Sequence, residues 1–411
     1  MDRRDFLQLA AVSSLSMLLP GSRAWALSSG KDDPDQHRMV VILLRGAMDG
    51  LNVVAPYADP KYLELRPKIA LPPPGAQGGL LDLDGHFGLN PAAQALMPLW
   101  RAKALSFVHA SGSPDATRSH FQAQDYMEGG VPGRGETTGW LNRLVATLPK
   151  HNSKSVTAVS LGAVLPRICS GSASIATVSS KVEPTKSPLD NPRVGGLFQS
   201  LYADPNDVLS KVYSEGISTR SEINSDLSAA GTDKEQMTAN AGAPIPRAGD
   251  PFGIKLANLL TRAPSIRTVF LDFGGWDTHA NENGTLARHL QPLANGLADL
   301  AQGLGPLLKT TTIVVMSEFG RTAAQNVNNG TDHGHGNVML LIGGGIPGGK
   351  VFARWDGLGN NALYEGRDLP TSTDFRSVLS RIMEDQMELP SSALATIFPG
   401  YRSKQDPFVQ A

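Results

Sequence analysis

Five short apolar runs constrain what this chain can fold into more than any other feature. They are residues 39–44 (MVVILL), 105–110 (LSFVHA), 266–273 (IRTVFLDF), 313–316 (IVVM) and 338–342 (VMLLI). Each is strand-length, continuous and rich in β-branched or large apolar side chains. That is the pattern of strands covered on both faces, as in parallel sheets. The expected fold class is therefore α/β: a doubly wound, mostly parallel sheet with helices on both faces. Helical spacing predicts helices over 89–104, 121–127, 138–148, 285–308 and 371–385. The first opens with Asn90 as cap and Pro91 in its first turn. The fourth carries Leu286, Leu290, Leu293, Leu297, Leu300 and Leu304 on one stripe, and the last has Thr373 or Asp374 as cap.

Chemistry-bearing side chains follow these runs. Between the last two lie Glu318, Arg321, Asp332, His333 and His335. Open α/β sheets place ligands beyond the carboxyl ends of their strands, and Asp, Glu and His suit divalent metals. Asp277 and His279, two apart after the third run, can chelate one ion from one side. Asp49-Gly50 follows the first run and reads as a turn pair or a ligand. After the second run, Thr117-Arg118-Ser119-His120 falls at an expected helix start, where free amides and the helix dipole favour anions. A hydroxyl there is either a helix cap or a nucleophile toward an oxyanion ester. Within the same elements, His109 and His289 read as structural. Cys169 is the only cysteine, so an internal disulfide is excluded.

Residues 1–26 read as an export signal. Arg3 and Arg4 head an uncharged apolar stretch that ends at Ala24-Trp25-Ala26, a small-x-small cleavage site. Adjacent arginines before Asp-Phe-Leu resemble a twin-arginine signal. The expected location is the periplasm or beyond, reached through the twin-arginine machinery. Pro20 and Gly21 interrupt the apolar stretch, so no stable membrane span is expected after cleavage. Residues 27–38 read as a flexible lead-in, and 39–411 as one domain with a loop-rich insertion around 150–265. The formal charge is −1 for the whole chain and −2 without the signal, so nucleic acid is not an expected partner.

The order of these motifs resembles the alkaline phosphatase and sulfatase-like superfamily. LLRGAMDGLN, ATRSHFQAQDYMEGG, GGWDTH, SEFGRT and GTDHGHGN are similar to one exported bacterial branch, domain-of-unknown-function family 1501. That resemblance implies an alkaline phosphatase-like fold and a divalent metal, of Zn, Mn, Mg or Ca type. It also implies a hydrolase of small anionic esters with a Ser or Thr nucleophile. On this pattern Ser119, with Thr117 as rival, is the nucleophile, supported by His120, and Arg118 or Arg321 holds the anionic oxygens. Asp49, Asp277, His279, Glu318, Asp332 and a late histidine, His333 or His335, are the metal candidates. The chain departs from the pattern at Glu318-Phe319, where phosphatases usually have Asp-His, and no cysteine stands in the nucleophile motif as in sulfatases. The alternative is a non-catalytic envelope protein with a degenerate metal site on the same fold. A His-Glu-x-x-His metalloprotease helix is missing from the sequence.

Overall fold

A computed structural model describes residues 36–133, 135–149, 156–162, 164–178 and 239–402. The signal at 1–26, most of the lead-in, and a helical stretch expected near 194–223 lie outside the described residues.

The five apolar runs are the strands that matter. They form β1 (Arg38–Leu44), β2 (Leu105–Gly112), β5 (Thr268–Phe273), β6 (Thr311–Ser317) and β7 (Asn337–Gly343). Two further strands, β3 (Ala158–Leu161) and β4 (Ala176–Val178), come from the region expected to be loop-rich. They are short, and β4 lies only half-buried at a sheet edge, so neither leaves a long apolar run in the sequence. With β8 (Val351–Phe352) and β9 (Thr373–Asp374) they complete a sheet ordered β8-β2-β7-β6-β1-β5-β3-β4, with β9 beside β2. Pairing is parallel between β1 and both β5 and β6, and antiparallel where β7 meets β6 and β2. The carboxyl ends of β1, β2, β5 and β6 and the amino end of β7 thus share one edge of the sheet. The strand order reverses at β1, which is where such sheets hold their ligands.

Successive side chains of β1 point to opposite faces. Val40, Ile42 and Leu44 pack with the leucine stripe of α4 (Glu282–Leu304) and with α3 (Phe252–Arg262). Met39, Val41 and Leu43 pack with Trp140 of α2 (Trp140–Thr147) and with Val378 and Leu379 of α5 (Phe375–Asp385). Both faces are covered, which is why the runs show no polar alternation. Helices α3 and α4 approach closely at Gly253, where an added Cβ would lie 1.9 Å from the Gly296 carbonyl oxygen. Asn90 and Asp374 cap as expected, accepting from the amides of Ala92 and Arg376. The stretch after Asn90 is not one helix. A 3-10 segment, Pro91–Leu96, runs into a short helix, Met97–Arg101. His109 is buried in β2, and His289 packs against Trp276, both structural roles.

Glu282, the first residue of α4, is fully buried. Burial, with the charge of Asp49 acting the same way, pushes its carboxyl up to about 8; Thr278, Arg321 and Arg66 only partly oppose this. The folded pKa then lies above the unfolded value of roughly 4.3. Stability is fully present below that lower value and is lost as pH rises through the folded one, because the unfolded chain gives up the proton first. Glu282→Gln should flatten the fall of melting temperature between pH 5 and pH 8.5. Parallel wild-type and variant curves would count against the raised pKa.

Candidate functional site

The loops at the shared sheet edge bring three imidazoles onto one carboxylate. His120 opens α1 (His120–Gly129), after β2. Asp277 and His279 follow β5, and His333 precedes β7. His333 Nε2 lies 3.0 Å from His120 Nε2 and 3.0 Å from His279 Nε2. Asp277 Oδ1 is 3.1 Å from His279 Nε2 and 3.5 Å from His333 Nε2, and Oδ2 is 3.7 Å from His120 Nε2. His120, Asp277 and His333 each offer an atom within 4.8 Å of the others. His279 is more open, with 35% of its side chain exposed against 6% for His120.

The far side of each ring fixes what faces inward. His120 Nδ1 donates to Glu318 Oε1 at 2.8 Å, and His333 Nδ1 donates to the Arg118 carbonyl at 2.9 Å. His279 Nδ1 faces Asp332 Oδ1 at 3.4 Å. Carboxylates and carbonyls only accept, so each Nδ1 carries a proton, and a ring without a second proton turns an Nε2 lone pair inward. Lone pairs 3 Å apart repel unless a cation lies between them. Asp277 Oδ2 faces the same centre, is buried, and has no hydrogen-bond partner among the described residues. Zinc–nitrogen bonds of roughly 2.0–2.1 Å in a tetrahedral site separate the ligand atoms by about 3.3 Å, close to what is seen here. The donor set therefore fits a divalent cation.

Protons are the other cation available, and the electrostatics say so. Burial alone would lower the pKa of His120, but the carboxylates of Asp277 and Glu318 outweigh it and raise it to about 9. The hydrogen bond to Asp277 raises His279 as well. Burial works against ionisation of Asp277, yet the three imidazoles and Arg321 hold its carboxyl well below the usual range. Glu318, also opposed by burial, is drawn down to about 2, mainly by His120.

The remaining candidates from the sequence stand around this centre. Glu318, fully buried, is behind His120: Oε1 accepts from His120, Gln124 and the Gly46 amide, and Oε2 from Ser317. Its lone pairs are engaged, so it orients an imidazole instead of facing the centre. The Gly46 loop packs tightly on the loop that follows β5; φ is +111° and an added Cβ would meet the Asp277 nitrogen at 2.7 Å. Asp49 is drawn away. One oxygen caps a helical turn at Leu51 and the other pairs with buried Arg66 at 2.6 Å. His335 is also elsewhere, between Asp368 Oδ2 at 2.8 Å and the Ala116 carbonyl at 3.1 Å, so the late histidine at the centre is His333.

Arg321 is no anion holder. It is 1% exposed, and its donors go to Asp277 and to the carbonyls of Gly46, Ala47, Trp276 and Thr331. Arg118 is partly exposed and paired with Asp368 and Glu365. Phe319, at the position where a second-site ligand was expected, packs against the rings of His120 and His333. Ser119 is exposed and makes no side-chain cap bond, whereas the Thr117 hydroxyl donates to Gln122 at 2.9 Å.

Comparison with known proteins agrees with the motif order. The family model of a protein of unknown function, DUF1501, matches residues 86–398. No curated protein matches the chain in sequence. Among solved structures, Ps i-CgsB in complex with k-i-k-neocarrahexaose is similar at 11% identity and TM-score 0.39, covering 88% of this chain and 74% of that one. The lipoteichoic acid synthase LtaP from Listeria monocytogenes is similar at 8% identity and TM-score 0.34, covering 77% and 69%. A protein in the alkaline phosphatase superfamily from Vibrio parahaemolyticus is similar at 12% identity and TM-score 0.32, covering 84% and 70%.

Proposed function

We propose that this chain, which belongs to the DUF1501 family, is an exported metal-dependent hydrolase of phosphate, sulfate or related anionic esters. One observation carries the reading. The buried carboxylate of Asp277 faces three inward imidazole nitrogens at the sheet edge where ligands bind, Oδ1 toward His279 and His333 and the unpartnered Oδ2 toward His120. His120, Asp277 and His333 would hold the ion, with His279 joining from the open side and Asp332 behind it. A divalent cation there supplies Lewis-acid polarisation of ester oxygens. The chain's own groups do the rest. Glu318 keeps the His120 lone pair aimed inward, and Arg321 fixes Asp277. Ser119, exposed directly before His120, is the attacking hydroxyl, and the open flank at His279 admits the ester.

The test is metal content of protein recovered from the periplasm, followed by an ester panel. The wild type should carry about one divalent ion per chain, and His333→Ala less than about a tenth of that. Equal content in the two would remove His333 from the ligands. Protein that holds metal yet turns over no phosphate or sulfate ester would favour the binding-protein alternative.

Export rests on Arg3 and Arg4. Among the described residues no helix is long and apolar enough to cross a membrane. Changing both arginines to lysine keeps the charge but should abolish transport by the twin-arginine machinery. A double variant that reaches the periplasm at the normal level would disprove this route.

A further inference from the structure

We infer that Asp368 is a positioning residue for the metal centre, an inference that rests on reading His333 as a ligand. Asp368 is fully buried, and its side-chain hydrogen bonds and ion pairs go to Arg118, His335 and Arg367, not to the four inward groups. It gathers instead the side chains of the two residues that hold His333, one of them through its backbone carbonyl. Its Oδ2 accepts from Arg118 Nε at 3.1 Å, Arg118 Nη2 at 2.7 Å and His335 Nδ1 at 2.8 Å. Its Oδ1 faces Arg367 Nε at 3.2 Å. The Arg118 carbonyl takes the proton of His333 Nδ1 at 2.9 Å, and the Arg367 guanidinium donates to the His333 carbonyl.

The direction of the His333 lone pair depends on where that Arg118 carbonyl sits. The Arg118 side chain is 30% exposed and that of Arg367 42%, so neither is held by packing alone. Asp368 holds Arg118 by hydrogen bonds and Arg367 by charge alone, its Oδ1 accepting no hydrogen bond among the described residues, and through His335 it also ties down Ala116, two residues before Arg118. One buried carboxylate thereby joins three segments: 116–118, 333–335 and 367–368. Without it the carbonyl behind His333 is free to shift, and the ring with it. Partners that bond a ligand directly change metal affinity by roughly 10- to 100-fold; Asp368 stands one contact further back, behind Arg118 and Arg367, so the low end of that range applies.

The experiment uses the full chain, stripped with a chelator, and zinc as the probe. Asp368→Asn should weaken zinc binding about tenfold, the low end for such partners. Because this variant can lose fold stability, Arg367→Gln, at a half-exposed position, is measured beside it and should weaken binding severalfold. Nitrogen-15 NMR of the metal-free protein supplies a second readout. The His333 Nδ1 proton, protected in the wild type, should exchange rapidly in Asp368→Asn. Unchanged zinc affinity in both variants together with an unchanged His333 signal overturns the inference. A wild type that takes up no zinc refutes the metal centre itself, and the NMR signal then decides the role of Asp368 alone.

Discussion

Asp277→Asn is expected to remove metal and ester turnover together, the largest effect of any single ligand change. Among the described residues Asp277 is the only carboxylate within ion-pair range of all three imidazoles, and amide oxygen is a far weaker partner for a cation. Metal content should fall below detection at equimolar supply, and turnover by about three orders of magnitude or more, as when a group essential to a catalytic unit is lost. The variant should also melt lower than chelator-treated wild type. Arg321 is buried beside Asp277, at 2.5 Å, and loses its counter-charge. Breaking such a pair from one side costs about 3–5 kcal/mol. Four carbonyls still accept from Arg321, so the lower end applies. Comparison of the two metal-free melts isolates that cost from metal loss. An Asp277→Asn protein that keeps a full complement of metal would remove the carboxylate from the site.

The sheet was legible because a strand covered on both faces must be apolar at every position. Runs such as 39–44 and 313–316 therefore announce themselves. The stripe from Leu286 to Leu304 announced α4 for the same reason at helical period. What failed was short or composite. Strands β3 and β4 are four and three residues long and lack an apolar run. The strand at Arg38 starts one residue inside the expected lead-in, because an arginine at a strand end gives no apolar signal.

The site was legible in its residue types and less so in its geometry. Asp277 and His279 could be paired by spacing alone, since both sit on one short loop after β5. His333 and His335 could not be separated, since they are the same type two residues apart. The choice is made by Asp368, 33 residues beyond His335, which takes His335 away from the centre. Glu318 had the right chemistry after the right strand. Whether such a carboxylate faces a metal or stands behind an imidazole depends on His120, 198 residues distant. Asp49 was lost to Arg66 in the same way, since nothing local marks a buried arginine as its partner. Phe319 marked a real departure: an apolar ring packs the imidazoles where the related pattern has a further ligand.

Ser119→Ala and Thr117→Ala are expected to separate chemistry from capping. The sequence left both hydroxyls open to either role, and the two differ in their hydrogen bonds. Ser119 stands at the start of α1 with its hydroxyl making no cap bond. Thr117 receives the Ser119 amide at 3.2 Å and donates to Gln122. Removing the Thr117 hydroxyl should therefore cost about 0.5–1 kcal/mol, the usual loss for exposed local hydrogen bonds ahead of the helix, and leave most turnover. Removing the Ser119 hydroxyl should cost less stability than that, since no cap bond is lost. Its effect on turnover should be roughly a thousandfold or more, because an unassisted route must replace the attacking oxygen. Metal content should stay at the wild-type level in both, which keeps the loss on the chemical step. The measurements are melting temperature, metal content and ester turnover on the two variants side by side. Loss of turnover in Thr117→Ala alone would pass the role to Thr117. Near-normal turnover in both would mean that water, not a side chain, attacks the ester, and the Ser/Thr nucleophile would be abandoned.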